Sequence, residues 1–173
     1  MTISDFYTAI MNRLLTNITD VDGSSKIKFF DLWNNQTTPQ DEEEELPFPT
    51  PAVFIEFHPS AMQTLGMRKQ AGDVDFSLHI VSEVYAEHSS REEAAVRTNA
   101  LDHLNLLDQI FYWLQNFDGD FFGAVDRTGF PQFDHNHTNL YEHLMPFKSR
   151  ITDHAAMHPQ IKVTPNPPPQ ITT

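Results

Sequence analysis

The residues with the clearest capacity for chemistry are Asp134, His135, His137 and His143, in the run DHNHTNLYEH. Neutral imidazoles two positions apart, beside a carboxylate, are the donor types that hold zinc or non-haem iron, and a metal held there could activate water. A single H-x-H pair rarely completes a site without further ligands at fixed geometry, and a chain with nine histidines contains such pairs by chance. Polar histidines in a loop or at a strand edge are therefore the stronger reading, and a metal-dependent enzyme is the weaker one. His58, His79, His88, His103, His154 and His158 are scattered and read in the same way.

Other catalytic signatures are missing from the sequence. It contains no nucleophile elbow, Walker loop, dinucleotide glycine fingerprint or kinase motif. Carboxylates are abundant, but no two are set apart in an apolar stretch as a general acid and base would be. Zero cysteines exclude disulfides, thiolate nucleophiles, Cys-type zinc knuckles and iron–sulfur clusters. The expectation is a protein with no catalytic residues, no cofactor and no required metal.

Hydrophobic periodicity sets the elements that must position these side chains. Ile3, Phe6, Tyr7, Ile10, Leu14 and Ile18 recur at steps of three and four, which predicts an amphipathic helix started by a Thr2–Asp5 capping box. A turn cluster at Asp20, Asp22, Gly23 and Ser24 precedes a predicted strand over 26–32, and Ala52 to Phe57 reads as another. Alternation through Val74, Phe76, Leu78, Ile80, Ser82 and Val84 predicts the strongest strand, over 73–85. At roughly 3.3 Å per residue it would run about 40 Å. Between the two strands, 58–72 reads as a glycine-bounded loop at the tip of an antiparallel pair, and Arg68 and Lys69 make it locally basic.

After Glu87, Ser89 with Glu92 and Ser90 with Glu93 offer capping boxes for a long helix. Its predicted buried side is Leu101, Leu104, Leu107, Phe111, Leu114 and Phe117, with a stop at Asp118-Gly119. A short strand is predicted near 124–128. Asn139 to Phe147 reads as a further strand, in which Pro146 marks a sheet edge or a strand end. The fold class is therefore α+β: one domain over 1–153, with a mostly antiparallel sheet of about four to five strands flanked by two helices and a long loop or hairpin. Residues 154–173, ending in PNPPPQITT, form an extended proline-rich arm.

With 173 residues, 39% hydrophobic and 14 Phe, the chain has the apolar area for one core. Against 24 acidic residues stand 11 Lys and Arg, a formal charge of -13, which disfavours tight nucleic-acid binding and attraction to anionic membranes. No apolar stretch approaches the roughly 20 residues of a membrane span, and the N-terminus lacks the pattern of a secretory signal, so synthesis in the cytoplasm is expected. Asn17, Asn35 and Asn136 sit in sequons read as chance triplets. Segment 34–51 combines the acidic run Asp41, Glu42, Glu43, Glu44 and Glu45 with clustered prolines, which predicts an exposed loop, a solvated charge run before it is a partner surface.

The order helix, strand, acidic loop, strand, long strand, helix, strand resembles the small domain of tailed-bacteriophage tail terminator and tail-completion (neck) proteins. PAVFIEF, DVDFSLHIV, LLDQIFYWLQNF, FFGAVDRTGF and DHNHTNLYEHLMPF carry the likeness, which covers roughly residues 1–153. The resemblance implies a structural virion protein forming a homohexameric ring at the head-proximal end of the tail, in contact with the tail tube protein and a neck or connector protein. DNA would pass through the lumen without specific binding, a role an acidic wall suits. A head–tail joining or head-completion protein on the connector side is the near alternative. Under this resemblance the contact surfaces are 58–72 with Arg68 and Lys69, the acidic segment 34–51 with Asp41–Glu45, and the arm 159–173 with Pro167, Pro168 and Pro169.

Overall fold

The computed structural model describes residues 2–37, 47–66, 68–83, 93–134 and 140–154, with only the backbone course for 93–100 and 134. The acidic run Asp41–Glu45, the capping serines Ser89 and Ser90, His135, His137 and Pro167–Pro169 lie outside the described residues.

The first helix forms where the periodicity places it. In α1 (Ile3–Asn17), Thr2 accepts the Asp5 backbone N–H at 3.2 Å and donates its own N–H to the Asp5 carboxylate at 2.7 Å. This reciprocal cap satisfies two of the orphan donors at a helix start and holds the Asp5 carboxyl below its usual range, the Thr2 backbone bond being the main cause. Phe6, Ile10, Leu14 and the C-cap Ile18 are fully buried along one stripe.

Among the described residues seven strands follow, more than the four to five expected: β1 (Phe29–Leu32), β2 (Ala52–Phe57), β3 (Met62–Gly66), β4 (Lys69–Glu83), β5 (Asp126–Arg127), β6 (Gln132–Asp134) and β7 (Leu140–Asp153). The sheet runs β1-β2-β4-β7-β5, with β3 paired to β4 and β6 to β7. All pairings are antiparallel except β1 with β2. The extra strands come from short partners along two long ones. Residues 58–72, expected as a loop, contain β3 and the start of β4, joined by a turn in which Gly66 (φ 89) and Arg68 (φ 62) take left-handed backbone. Gly72 is needed where the hairpin closes, since a Cβ there would overlap the Ala61 carbonyl oxygen.

The spine is the β4–β7 pair, in register from Gln70 opposite Asp153 to Glu83 opposite Leu140. Strand β7 continues well past Phe147, so Pro146 neither ends it nor lies at the sheet margin. The Pro146 carbonyl accepts the Thr128 N–H at 3.0 Å, so its missing N–H faces the same side, where the partner is broken between β5 and β6. Proline is tolerated because no ladder bond is lost there.

The second helix, α2 (Glu93–Leu114), departs from expectation in two ways. It stops before Asp118-Gly119: Asn116 takes φ 60, its N–H bonds the Val125 carbonyl at 2.9 Å, and Asn accepts left-handed backbone nearly as Gly does. Its inward stripe is His103, Leu106, Leu107, Ile110 and Leu114, while Leu101 and Leu104 are about half exposed at 52% and 49%. Leucine spacing alone places the inward face part of a turn away from the buried one.

Both helices pack on one face of the sheet. There Val53 and Ile55 of β2, Val74 to Ile80 of β4 and Met145, Phe147 and Ile151 of β7 meet the buried stripes of α1 and α2 in a single core. Phe6 lies edge-on to Phe76 and Phe122, with centroids 5.4 and 5.1 Å away, and Phe76 stacks on Phe147 across the strands. Arg13 of α1 ties the helices together by donating to the Trp113 carbonyl at 3.1 Å with its guanidinium over the Trp113 ring. The opposite face carries a smaller cluster of Phe48, Ala52, Phe54, Val81 and Leu140, flanked by Phe29 and Trp33.

Candidate functional site

The structure draws together residues that the sequence leaves far apart. His103 reaches down from α2 to the sheet, where its Nδ1 lies 2.8 Å from Ser82 Oγ on β4 and its Nε2 lies 2.8 Å from His143 Nδ1 on β7. Ring centroids 4.9 Å apart place the two imidazoles nearly head-on, the arrangement of one proton shared in an N–H···N bond. Tyr141 lies beside His103, and Phe133 packs its ring against His143 at 5.0 Å.

Both imidazoles are kept neutral by their surroundings. Burial pulls His103 down to about 4, with repulsion from His143 as the second cause, and burial lowers His143 as well. A serine hydroxyl, an imidazole and an orienting partner in sequence have the outline of an activated nucleophile. Yet a base that binds a proton only near pH 4 takes little from a hydroxyl at neutral pH, so the chain Ser82–His103–His143 is better suited to fastening α2 to the sheet than to catalysis. A small cleft of about 150 Å³ opens beside it, between Lys26, Thr50, Ser82, Asp102 and His103.

On the opposite face His79 is held quite differently. Its Nε2 faces Glu56 Oε2 at 2.9 Å and its Nδ1 faces Glu142 Oε1 at 3.0 Å, while the Trp33 indole stacks on the ring at 3.7 Å and 9°. Only the imidazolium can donate to both carboxylates at once; each neutral tautomer serves one. The two carboxylates flank opposite edges of the ring, so they do not converge on a point where a cation could sit. Farther along the same face His58 Nε2 lies 2.8 Å from Ser77 Oγ.

Of the expected metal candidates, Asp134 ends β6 and His143 stands on β7, where Phe133 and Asp134 are in register with His143 and Glu142. The structure brings His143 to His103 and Ser82. Among the described residues no group of three or more His, Asp or Glu is placed to hold a metal ion. Of the expected contact residues, Arg68 is exposed in the β3–β4 turn and Lys69 is half-buried as β4 begins. Neither His79 with its carboxylates nor Ser82 with His103 was singled out from sequence. The available signal was strand parity: His79 and Glu142 fall on one face, and Ser82 and His143 on the other, but only once the β4–β7 register is known.

No protein-family model matches the chain, and no curated protein matches it. No described helix is long and apolar enough to cross a membrane.

Proposed function

We propose that this chain is a structural protein of a tailed-phage virion, a ring at the head-proximal end of the tail that ends tube assembly and joins the tail to the neck. The observation that carries this reading is the element order within one α+β domain: a capped helix, two strands, a hairpin running into a long strand, a long helix, and a return strand along the whole of β4. Leaving aside β3 and the short β5 and β6, that is the order on which the resemblance rests. The β3–β4 hairpin adds support, because Gln63 to Gly66 of β3 and Arg68 of its turn are exposed. An exposed strand such as β3, paired on one side to β4, offers backbone and side chains to a neighbouring copy.

Ending a polymer is a matter of shape. The ring needs one surface matching the last tube ring and none that accepts another. The charge of -13 suits a passage that DNA crosses without adhering. Two measurements test the proposal. Light scattering of the purified chain should give a particle six times its 19.9 kDa mass. Added to polymerising tail tube protein, that particle should stop elongation and shorten the tubes. Tubes of unchanged length would shift the assignment to the connector side, and stoichiometric bound metal on a monomer would favour the enzyme reading instead.

A further inference from the structure

A groove at the far end of the sheet fits the chain's own C-terminal segment. It is an open depression of about 460 Å³ between residues 119–123 and the end of β7. Its walls include Phe121, Arg150, Thr152 and His154. Backbone bonds fix the two walls to each other: Gly123 donates to the Arg150 carbonyl at 2.7 Å and Thr152 to the Phe121 carbonyl at 3.2 Å. The Phe121 ring is 52% exposed and stands edge-on to His154, with centroids 6.3 Å apart. Among the described residues Arg150 forms no ion pair, so its donors are open to a ligand. The groove is therefore lined by an exposed aromatic residue together with residues that carry guanidinium, hydroxyl and imidazole donors.

A proline run is the complementary chemistry. Pro167, Pro168 and Pro169 have no N–H at all, and in polyproline II geometry their carbonyls make no internal bonds, so they seek donors while their rings seek an aromatic surface. The described chain ends at His154, on the groove wall itself, and 19 residues follow it. Asp120 lies on the same rim, and the segment after His154 carries a single Lys, Lys162. From 155 to 167 an extended path covers about 37 Å at roughly 3.1 Å per residue, about one domain diameter. A path of that length ends about one domain diameter from its origin, where the neighbouring molecule of a ring would lie.

We propose that this groove receives Pro167–Pro169 of a second copy of the chain, so that each subunit of the ring is strapped to the next. This rests on the ring reading above. The test uses the full chain carrying Phe121→p-benzoylphenylalanine, a change at an exposed ring, mixed as isotopically light and heavy populations and irradiated. Crosslinked peptides should join position 121 of one population to 164–170 of the other, within particles of oligomer mass. Arg150→Ala should lower that yield about tenfold or more, the equivalent of roughly one hydrogen bond to a charged donor. An oligomer without this crosslink, or crosslinks confined to one chain, overturns the groove assignment and leaves the ring standing. A monomer at every concentration, with no crosslink between chains, overturns both.

Discussion

His79 and His143 project from opposite faces of the same β4–β7 pair, and each is held by a different kind of neighbour. On the helix-covered face His143 meets a second imidazole, itself bonded to a serine, beneath an apolar core. On the other face His79 lies between two carboxylates under an indole, and the apolar cluster around it is small. The deeper side accepts polar groups only in neutral form, because burying a charge among Phe and Leu side chains has a high desolvation cost. The shallower side sets its imidazole between two carboxylates, of which Glu56 stays partly exposed. One sheet thus combines a face whose histidines pair with each other and a face whose histidine is flanked by carboxylates.

The largest expected effect tests the packing half of this contrast. Phe76 touches Phe6, Phe57 and Phe147 within the main core, so Phe76→Ala should destabilise the fold by about 3–5 kcal/mol. Phe54 is equally buried, but its neighbours Phe48 and Trp33 come from irregular segments that can settle into the space, so Phe54→Ala should cost less. Urea unfolding of both variants decides it, and equal losses would mean that the second face is packed as rigidly as the first.

The next effect is a pH dependence that belongs to one face. Because His103 is held at about 4, below its ordinary value of 6.5, the unfolded chain takes up protons that the native state refuses as pH falls through that interval. Stability from this group is therefore full above about pH 6.5, declines toward pH 4 and levels off below, a loss on the order of 3 kcal/mol. Carboxylates also titrate near the lower end, so the diagnostic is the difference between wild type and His103→Gln. The variant should show a shallower fall between pH 6.5 and 4.5 in denaturant midpoints measured with chelator present. Parallel curves would remove His103 as the source.

How much of this was legible beforehand follows from which interactions are local. The α1 stripe and its Thr2–Asp5 cap depend on residues three and four apart, so they could be read directly. Alternation marked β4 because Val74, Phe76, Leu78 and Ile80 all face the core. The α2 face was misjudged because His103 is buried and Leu101 and Leu104 are not, and only the bond to His143, 40 residues away, makes a histidine the inward residue. Likewise His79 and Glu142 are 63 residues apart, and nothing short of the β4–β7 register reveals that they meet. Pro146 reads as a strand limit because its missing donor is visible in sequence while the gap between β5 and β6 is not.

Two smaller changes sharpen the contrast between the histidines. Glu142→Gln keeps the shape but replaces a charged acceptor at a buried position, and should cost about 1–2 kcal/mol in urea unfolding. Because Glu56 remains on the other nitrogen, the Trp33 stack should persist, which the indole fluorescence maximum will report. A red-shifted, solvent-like emission in this variant would mean that Glu142 alone positions the ring.

The least costly substitution isolates the proton order on the deeper face. Ser82→Ala removes one hydrogen bond to His103 Nδ1 and should cost about 1 kcal/mol. The chain of bonds allows two directions. Either Ser82 donates to His103 Nδ1 and His103 donates to His143, or His143 donates to His103 and His103 Nδ1–H donates to Ser82. In the first case His103 carries its proton on Nε2 and the alanine leaves an unpaired acceptor. In the second it carries the proton on Nδ1 and the alanine leaves an unpaired donor, so that the ring gains by moving the proton to Nε2 and reversing the bond to His143. Nitrogen-15 shifts of the imidazoles at pH 7 distinguish these. An unchanged His103 tautomer between wild type and Ser82→Ala identifies the hydroxyl as the donor, whereas a switch identifies it as the acceptor. Charged imidazole signals on either ring at that pH would break the comparison itself, since the helix-covered face would then be holding an ion.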